Sequence, residues 1–94
     1  MRVERADIGI VINSLVQIRA NYPEEKQDQI DETLLFLYDI YDSIKPKRKK
    51  RVNMDYFQKR LIINCLNEWR NLCLSTGEEI KADAISEVLL AFYE

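Results

Sequence analysis

One short segment in the middle of the chain limits its fold more than any other. Residues 45–51 read Lys-Pro-Lys-Arg-Lys-Lys-Arg, so six of the seven side chains are cationic and the seventh belongs to a proline. Such a run is too highly charged to be buried, and proline breaks the interior of a helix. We therefore expect an exposed connector, here called the basic connector, that divides the chain into two pairs of helices.

Apolar residues recur at three- and four-residue spacings on both sides of the basic connector. This pattern predicts helices over residues 4–20, 23–43, 53–75 and 78–93. The run from Ile8 to Ile12 is also rich in β-branched residues, which favour strands, but no second strand-like segment is available to pair with it. With 94 residues, of which 47% are apolar, the chain is predicted to form a single all-α domain, a small up-down four-helix bundle.

The same spacings predict which side chains face the core. On the first two helices the inward sets are Ile8, Val11, Ile12, Leu15, Ile18 and Tyr22, widened by Ile10 and Val16, and then Ile30, Leu34, Leu37, Tyr41 and Ile44. On the last two helices they are Met54, Phe57, Leu61, Ile62, Cys65, Leu66, Trp69, Leu72 and Cys73, and then Ile85, Val88, Leu89 and Phe92. Glu68 falls on the inward side of the third helix, so its carboxylate needs a partner or an exposed rim position, and Arg19 and Arg70 are the candidate partners.

Capping residues predict where two of the helices begin and end. Asn53 is a suitable N-cap for the third helix, with Asp55 in its first turn. Gly77 suits the left-handed position that ends a helix. Thr76, with Glu79 three residues later, is a candidate cap for the fourth helix.

The composition argues against catalysis. The chain has no histidine and only two glycines, which excludes the usual proton shuttle and a glycine-rich phosphate loop. Cys65 and Cys73 lie two helical turns apart, so they suit reduced core residues better than a disulfide or a zinc site. We predict a non-enzymatic protein without a cofactor or metal. The absence of a long apolar run and of a signal peptide predicts an intracellular, cytoplasmic protein with no membrane partner.

Two helix faces are candidate binding surfaces. The outer face of the third helix mixes aromatic, aliphatic and basic residues, as interfaces do; its members are Tyr56, Lys59, Ile63, Arg70 and Leu74. The second helix carries acidic residues with no basic residue among them, around an otherwise unexplained Leu35. This acidic ridge comprises Asp28, Asp31, Glu32, Asp39 and Asp42, and it is either a soluble face or a docking strip for a basic partner.

The basic connector has several interpretations that the sequence leaves open. It is a solvated linker, or it contacts nucleic-acid phosphates in a salt-dependent way, or it lies on the acidic ridge of another copy. Residues 46–52 also resemble the single-cluster nuclear localisation signals of eukaryotic and viral proteins, which implies a nuclear location if the host is eukaryotic. Its cations are Lys45, Lys47, Arg48, Lys49, Lys50 and Arg51.

The charge distribution helps to rank these functions. The net charge is −2, but outside the basic connector the chain has only 8 Lys and Arg residues and 16 Asp and Glu residues. An acidic body opposes general coating of nucleic acid. We therefore predict regulation, inhibition or scaffolding by protein–protein contact, with self-association as a homodimer. The alternative is a nucleic-acid-associated factor that contacts phosphates through the basic connector.

Overall fold

The computed structural model of the chain describes residues 1–93. In this range it has four helices, α1 (Arg5–Ile18), α2 (Glu24–Ser43), α3 (Tyr56–Ser75) and α4 (Glu79–Tyr93), and a 3-10 turn at Arg19–Asn21. Two short strands, β1 (Arg2–Glu4) and β2 (Lys49–Arg51), complete the fold. The predicted all-α fold with four helices is confirmed, and each helix boundary lies within three residues of the predicted one.

Helix α1 is the centre of the packing. It contacts the three other helices, whereas α2 packs chiefly on α1, and α3 packs most extensively on α4. Its apolar stripe explains this position, because five of the predicted core residues are buried: Ile8, Val11, Ile12, Leu15 and Ile18. Burial of one such side chain contributes about 1.5–3 kcal/mol, so the stripe is a large part of the stability of a domain of this size.

The pair of strands was not predicted. β1 and β2 are antiparallel, with Arg2 opposite Arg51 and Glu4 opposite Lys49. The Val52 N–H extends the pairing by donating to the Met1 carbonyl oxygen, 2.9 Å away. The expectation that the chain lacks a second strand-like segment is therefore wrong for the basic connector, although residues 8–12 are helical as predicted.

Helix α3 begins two residues later than its predicted cap implies. The Asp55 carboxylate accepts a hydrogen bond from the Gln58 N–H (2.7 Å), and the Gln58 side-chain oxygen accepts from the Asp55 N–H (3.2 Å). This reciprocal capping box satisfies two donors that a helix start otherwise leaves free. Asp55, and not Asn53, is therefore the N-cap.

The turn between α3 and α4 is confirmed at one residue and corrected at the next. Gly77 has a φ of 79°, the left-handed conformation that was predicted. Thr76, however, closes α3 instead of capping α4. Its hydroxyl lies 3.1 and 3.2 Å from the carbonyl oxygens of Leu72 and Cys73, which satisfies acceptors at the end of α3.

Most of the predicted core residues are buried or half-buried, but three are exposed. Phe57 is 80% exposed, and about half of the surface of Val16 and Leu72 is exposed. Helical spacing gives the direction of a side chain, but it does not say how far a neighbouring helix extends to cover it. Phe57 is the second residue of α3, where the helix has only just begun.

Candidate interaction surfaces

The basic connector folds as a turn followed by β2. The Arg48 N–H donates to the Lys45 carbonyl oxygen (3.1 Å), which closes a four-residue turn with Pro46 and Lys47 at its centre. Lys47 has a φ of 64°, the sign that a type II turn requires at its third residue. The predicted exposure of the connector is confirmed for all six cations, and within residues 1–93 none of them forms an ion pair.

Pairing with β1 adds another cation to this surface. We call the two paired strands, β1 and β2, the basic ribbon. Successive side chains of a strand point to opposite faces, and residues opposed across an antiparallel pair share a face. Val3 and Lys50 lie on the inner face, where Val3 is buried and Lys50 Nζ donates to Ser43 Oγ (2.8 Å) at the end of α2. The outer face carries Arg2, Glu4, Lys49 and Arg51.

The acidic ridge contains one ion pair. Arg19 donates from Nε and Nη2 to the two carboxylate oxygens of Asp31, at 2.7 and 2.8 Å. This bidentate contact holds the pKa of Asp31 below its usual range and raises the pKa of Arg19. Leu35 is 68% exposed, as expected for an outward residue. The remaining acids of the ridge are exposed and form no ion pair within residues 1–93: Asp28, Glu32, Asp39 and Asp42.

Neither of the candidate partners binds Glu68. Its carboxylate lies at an exposed position and accepts a hydrogen bond from the Tyr22 hydroxyl (3.0 Å). Arg19 binds Asp31 instead, and Arg70 forms no ion pair in the described part of the chain. The Glu68 carboxylate thus reaches the rim, where water solvates it, and needs no buried counter-charge.

The predicted strip runs along most of the outer face of α3, and only its first part lines a cleft. Ile63 is half-buried and packs against the core, and Leu74 lies 18 residues from Tyr56, about 27 Å along the helix. Arg70 is also outside the cleft at the start of the strip. That cleft, of about 370 Å³, is completed by α4 and is lined by Tyr56, Lys59, Arg60, Ile63, Asn64, Phe92 and Tyr93.

A groove between α2 and α3 was not predicted. It consists of two adjoining clefts, of about 240 and 150 Å³, that share Gln29, Phe57 and Leu61. One cleft also contains Glu32 and Asp55, and the other also contains Lys26 and Arg60. We call this surface, with its acidic end and its basic end, the α2–α3 groove.

The sequence did contain a signal for this groove. Tyr56 and Phe57 are adjacent in the first turn of α3, and adjacent residues on a helix do not point in the same direction. The two rings therefore point in different directions, and both are exposed. Their rings meet edge to face, with centroids 5.8 Å apart, so they form one aromatic projection.

The two cysteines are free and buried, as predicted. Burial raises the pKa of the Cys65 thiol to about 11 and also raises the pKa of Cys73. Both thiols are therefore protonated at neutral pH, whereas a nucleophile or metal ligand must be a thiolate. Within residues 1–93, no group of three or more Cys, Asp or Glu residues is arranged to hold a metal ion.

Comparison with known proteins identifies no relative. The chain matches no protein-family model, no curated protein and no solved structure. Among the helices of residues 1–93, none combines the length and the apolar character needed to cross a membrane. The fold creates two candidate binding surfaces, the α2–α3 groove and the basic ribbon.

Proposed function

We propose that this protein is a non-enzymatic interaction protein that works as a two-fold dimer, joined through the α2–α3 groove. A regulatory or scaffolding role fits a small protein of this kind. The observation that carries the proposal is the juxtaposition of an exposed aromatic ring, Phe57, with an open groove that has opposite charges at its two ends.

The apolar part of the groove favours association. Phe57 and Leu61 lie where the two clefts meet, and Phe57 is too exposed to contribute much to its own core. Burial of one such aromatic ring in a partner contributes about 2 kcal/mol, and a two-fold interface buries it twice. Arg60 Nη1 also donates a hydrogen bond to the neighbouring Tyr56 hydroxyl (2.9 Å). The Arg60 side chain at the basic end of the groove is therefore ordered before binding.

The charges of the groove make it complementary to itself. Lys26 and Arg60 lie at one end, and Glu32 and Asp55 lie at the other. A two-fold axis that passes near Phe57 at right angles to the groove reverses the direction of the groove in the second copy, so each basic end meets an acidic end. Such a surface attracts a second copy in one orientation, whereas a groove of one sign would repel it.

The proposed location of the dimer is inside the cell. Cys65 and Cys73 are both free thiols, as is usual for proteins of a reducing compartment. A catalytic role remains disfavoured on the composition argument, and the absence of enzyme activity stays a prediction.

The dimer is tested by measuring molar mass with light scattering on a size-exclusion column, over a range of protein concentrations. The wild-type protein should have the mass of a dimer, and Phe57→Asp should have the mass of a monomer with an unchanged helical circular dichroism spectrum. Ile80→Asp is the matched control, because Ile80 is 88% exposed and lies outside the groove. A monomeric wild-type protein, or equal masses for the two variants, would overturn the proposal.

A charge exchange tests the orientation of the two copies. Lys26→Glu makes the basic end more acidic and Glu32→Lys makes the acidic end more basic, so each single variant should dimerise more weakly. The double variant exchanges the two charges and should recover much of the lost affinity. A double variant that is weaker than both single variants would contradict the two-fold arrangement while leaving the mass test of the dimer intact.

A further inference from the structure

We infer that the outer face of the basic ribbon is a binding site for the phosphate backbone of nucleic acid. The structure brings Arg2 directly opposite Arg51 and places Lys49 on the same face, although Arg2 is far away in the sequence. This site is separate from the α2–α3 groove and does not depend on dimer formation.

The three cations form a compact patch. Residues two apart on a strand are about 6.6 Å apart, and opposed residues of an antiparallel pair are about 5 Å apart. Lys49, Arg51 and Arg2 therefore occupy an area that one or two adjacent phosphates span. Glu4 opposes Lys49 and is the one acid among the six residues of the ribbon.

The opposed arginines need an anion. Like charges that face each other across a pair of strands destabilise it, and within residues 1–93 neither Arg2 nor Arg51 forms an ion pair. A phosphate between the two guanidinium groups replaces this repulsion with charge-assisted hydrogen bonds, for which the planar arginine group is well suited.

The backbone under this face is held in place. Val3 on the inner face is buried, and the basic connector is anchored at its two ends by the buried residues Ile44 and Val52. The Val52 N–H is bonded to the Met1 carbonyl oxygen. The cations are therefore displayed on an ordered ribbon, which lowers the entropy lost on binding. The adjoining turn adds Lys47 and Arg48, both exposed.

Nucleic acid fits the ribbon better than a membrane or a peptide receptor. Membrane binding gains strength from inserted apolar groups, but Val3 and Val52 beside the ribbon are buried. A transport receptor that reads residues 46–52 as an extended peptide would compete for backbone groups of Lys49–Arg51 that β1 already engages.

Fluorescence anisotropy with a short DNA duplex, at several salt concentrations, tests the site. Four phosphates, two at the outer face and one each at Lys47 and Arg48, predict a log–log salt slope of about −3.6. Affinity should then fall about 150-fold between about 50 and about 200 mM salt. The triple variant Arg2→Gln, Lys49→Gln, Arg51→Gln should reduce the slope to about −1.8, because two contacts remain.

The control variant makes the same change in net charge elsewhere. It combines Lys50→Gln, Lys59→Gln and Lys81→Gln, none of which lies on the outer face. Its slope should equal that of the wild-type protein, and circular dichroism should show that both triple variants are folded. Within the outer-face variant, the changes at Arg2 and Arg51 remove a repulsion, whereas Lys49→Gln removes a favourable pairing with Glu4.

Three results would overturn the inference. The first is no duplex binding by the wild-type protein at low salt. The second is an equal loss of binding in the two triple variants, which would mean that only net charge matters. The third is stronger binding to phosphatidylserine–phosphatidylcholine vesicles than to the duplex, which would make the ribbon a membrane contact.

Discussion

Replacing Lys47 with glycine should stabilise the protein, although glycine is the most flexible residue. Lys47 is the one residue other than glycine with a positive φ in the described range, at 64°. Its side chain is exposed, and it forms no hydrogen bond or ion pair within residues 1–93. The stability of the turn therefore depends on the backbone conformation of this residue and not on contacts of its side chain.

The expected gain follows from two opposing effects. An L-residue in the left-handed region costs about 1–2 kcal/mol, and glycine removes this cost. Glycine also gives the unfolded chain more conformational entropy, which lowers the free energy of unfolding by about 0.4–1 kcal/mol. The free energy of unfolding should therefore rise by about 0.5–1 kcal/mol, which corresponds to an increase in Tm of about 2–8 °C for a domain of this size.

Urea unfolding followed by circular dichroism measures this change, at one fixed protein concentration because a dimer is stabilised by its own concentration. Lys45→Gly is the matched control, since it removes the same charge from the same turn at a residue without a positive φ. The control should be destabilised by the flexibility of glycine. A midpoint for Lys47→Gly at or below that of the wild-type protein would show that the left-handed turn is not the conformation in solution.

Three further predictions concern the core and the titrating groups. Leu15→Ala should lower the free energy of unfolding by about 2–5 kcal/mol in a urea titration, because Leu15 is fully buried in the central helix. The pKa of Asp31 is lowered, so its contact with Arg19 stabilises the fold above about pH 4, and this stabilisation is lost as the pH falls through the folded pKa. In Asp31→Asn, the urea midpoint should therefore fall less steeply as the pH is lowered. Cys65, with its pKa raised to about 11, should react slowly with a disulfide reagent in the native state and rapidly in urea, and fast native labelling would contradict its burial.

The helices were predictable from the sequence because burial repeats along them. The inward residues of α1 and α4 recur at the helical period, and each predicted residue of α4 is buried. The widths of the buried faces were not predictable in the same way. Phe57 and Val16 have the spacing of core residues, but exposure depends on where the neighbouring helices end, and a single-helix pattern does not contain that information.

The two candidate binding surfaces were less predictable, because both are formed by segments that are distant in the sequence. The residues of β2 are all charged, so they lack the alternation of polar and apolar residues that marks a strand. Their pairing depends on Val3, near the start of the chain. The α2–α3 groove likewise joins Glu32 to Phe57. The capping box of Asp55 and Gln58, in contrast, is a local pattern that the sequence does contain.

The end of α2 explains why the basic connector is divided between two faces. Asp39 and Asp42 lie in the last two turns of this helix, which has no basic residue in its last turn. Acidic residues there are unfavourable, because the C-terminal end of a helix dipole is negative. Lys50 compensates for this, since its Nζ donates to Ser43 Oγ at that end.

The remaining cations of the connector do not serve the fold in this way. Lys50 accounts for one of the six charges, and the fold would need no more than one or two to neutralise the end of α2. Lys49 and Arg51 instead face outward beside Arg2. Glu4 opposes Lys49, but the repulsion between Arg51 and Arg2 has a cost that no described contact offsets. A chain that needed only an exposed connector would be more stable with neutral polar residues at positions 2 and 51. The phosphate contact inferred for the outer face would offset this repulsion, so the opposed arginines support that inference, and the salt-dependence experiment tests it.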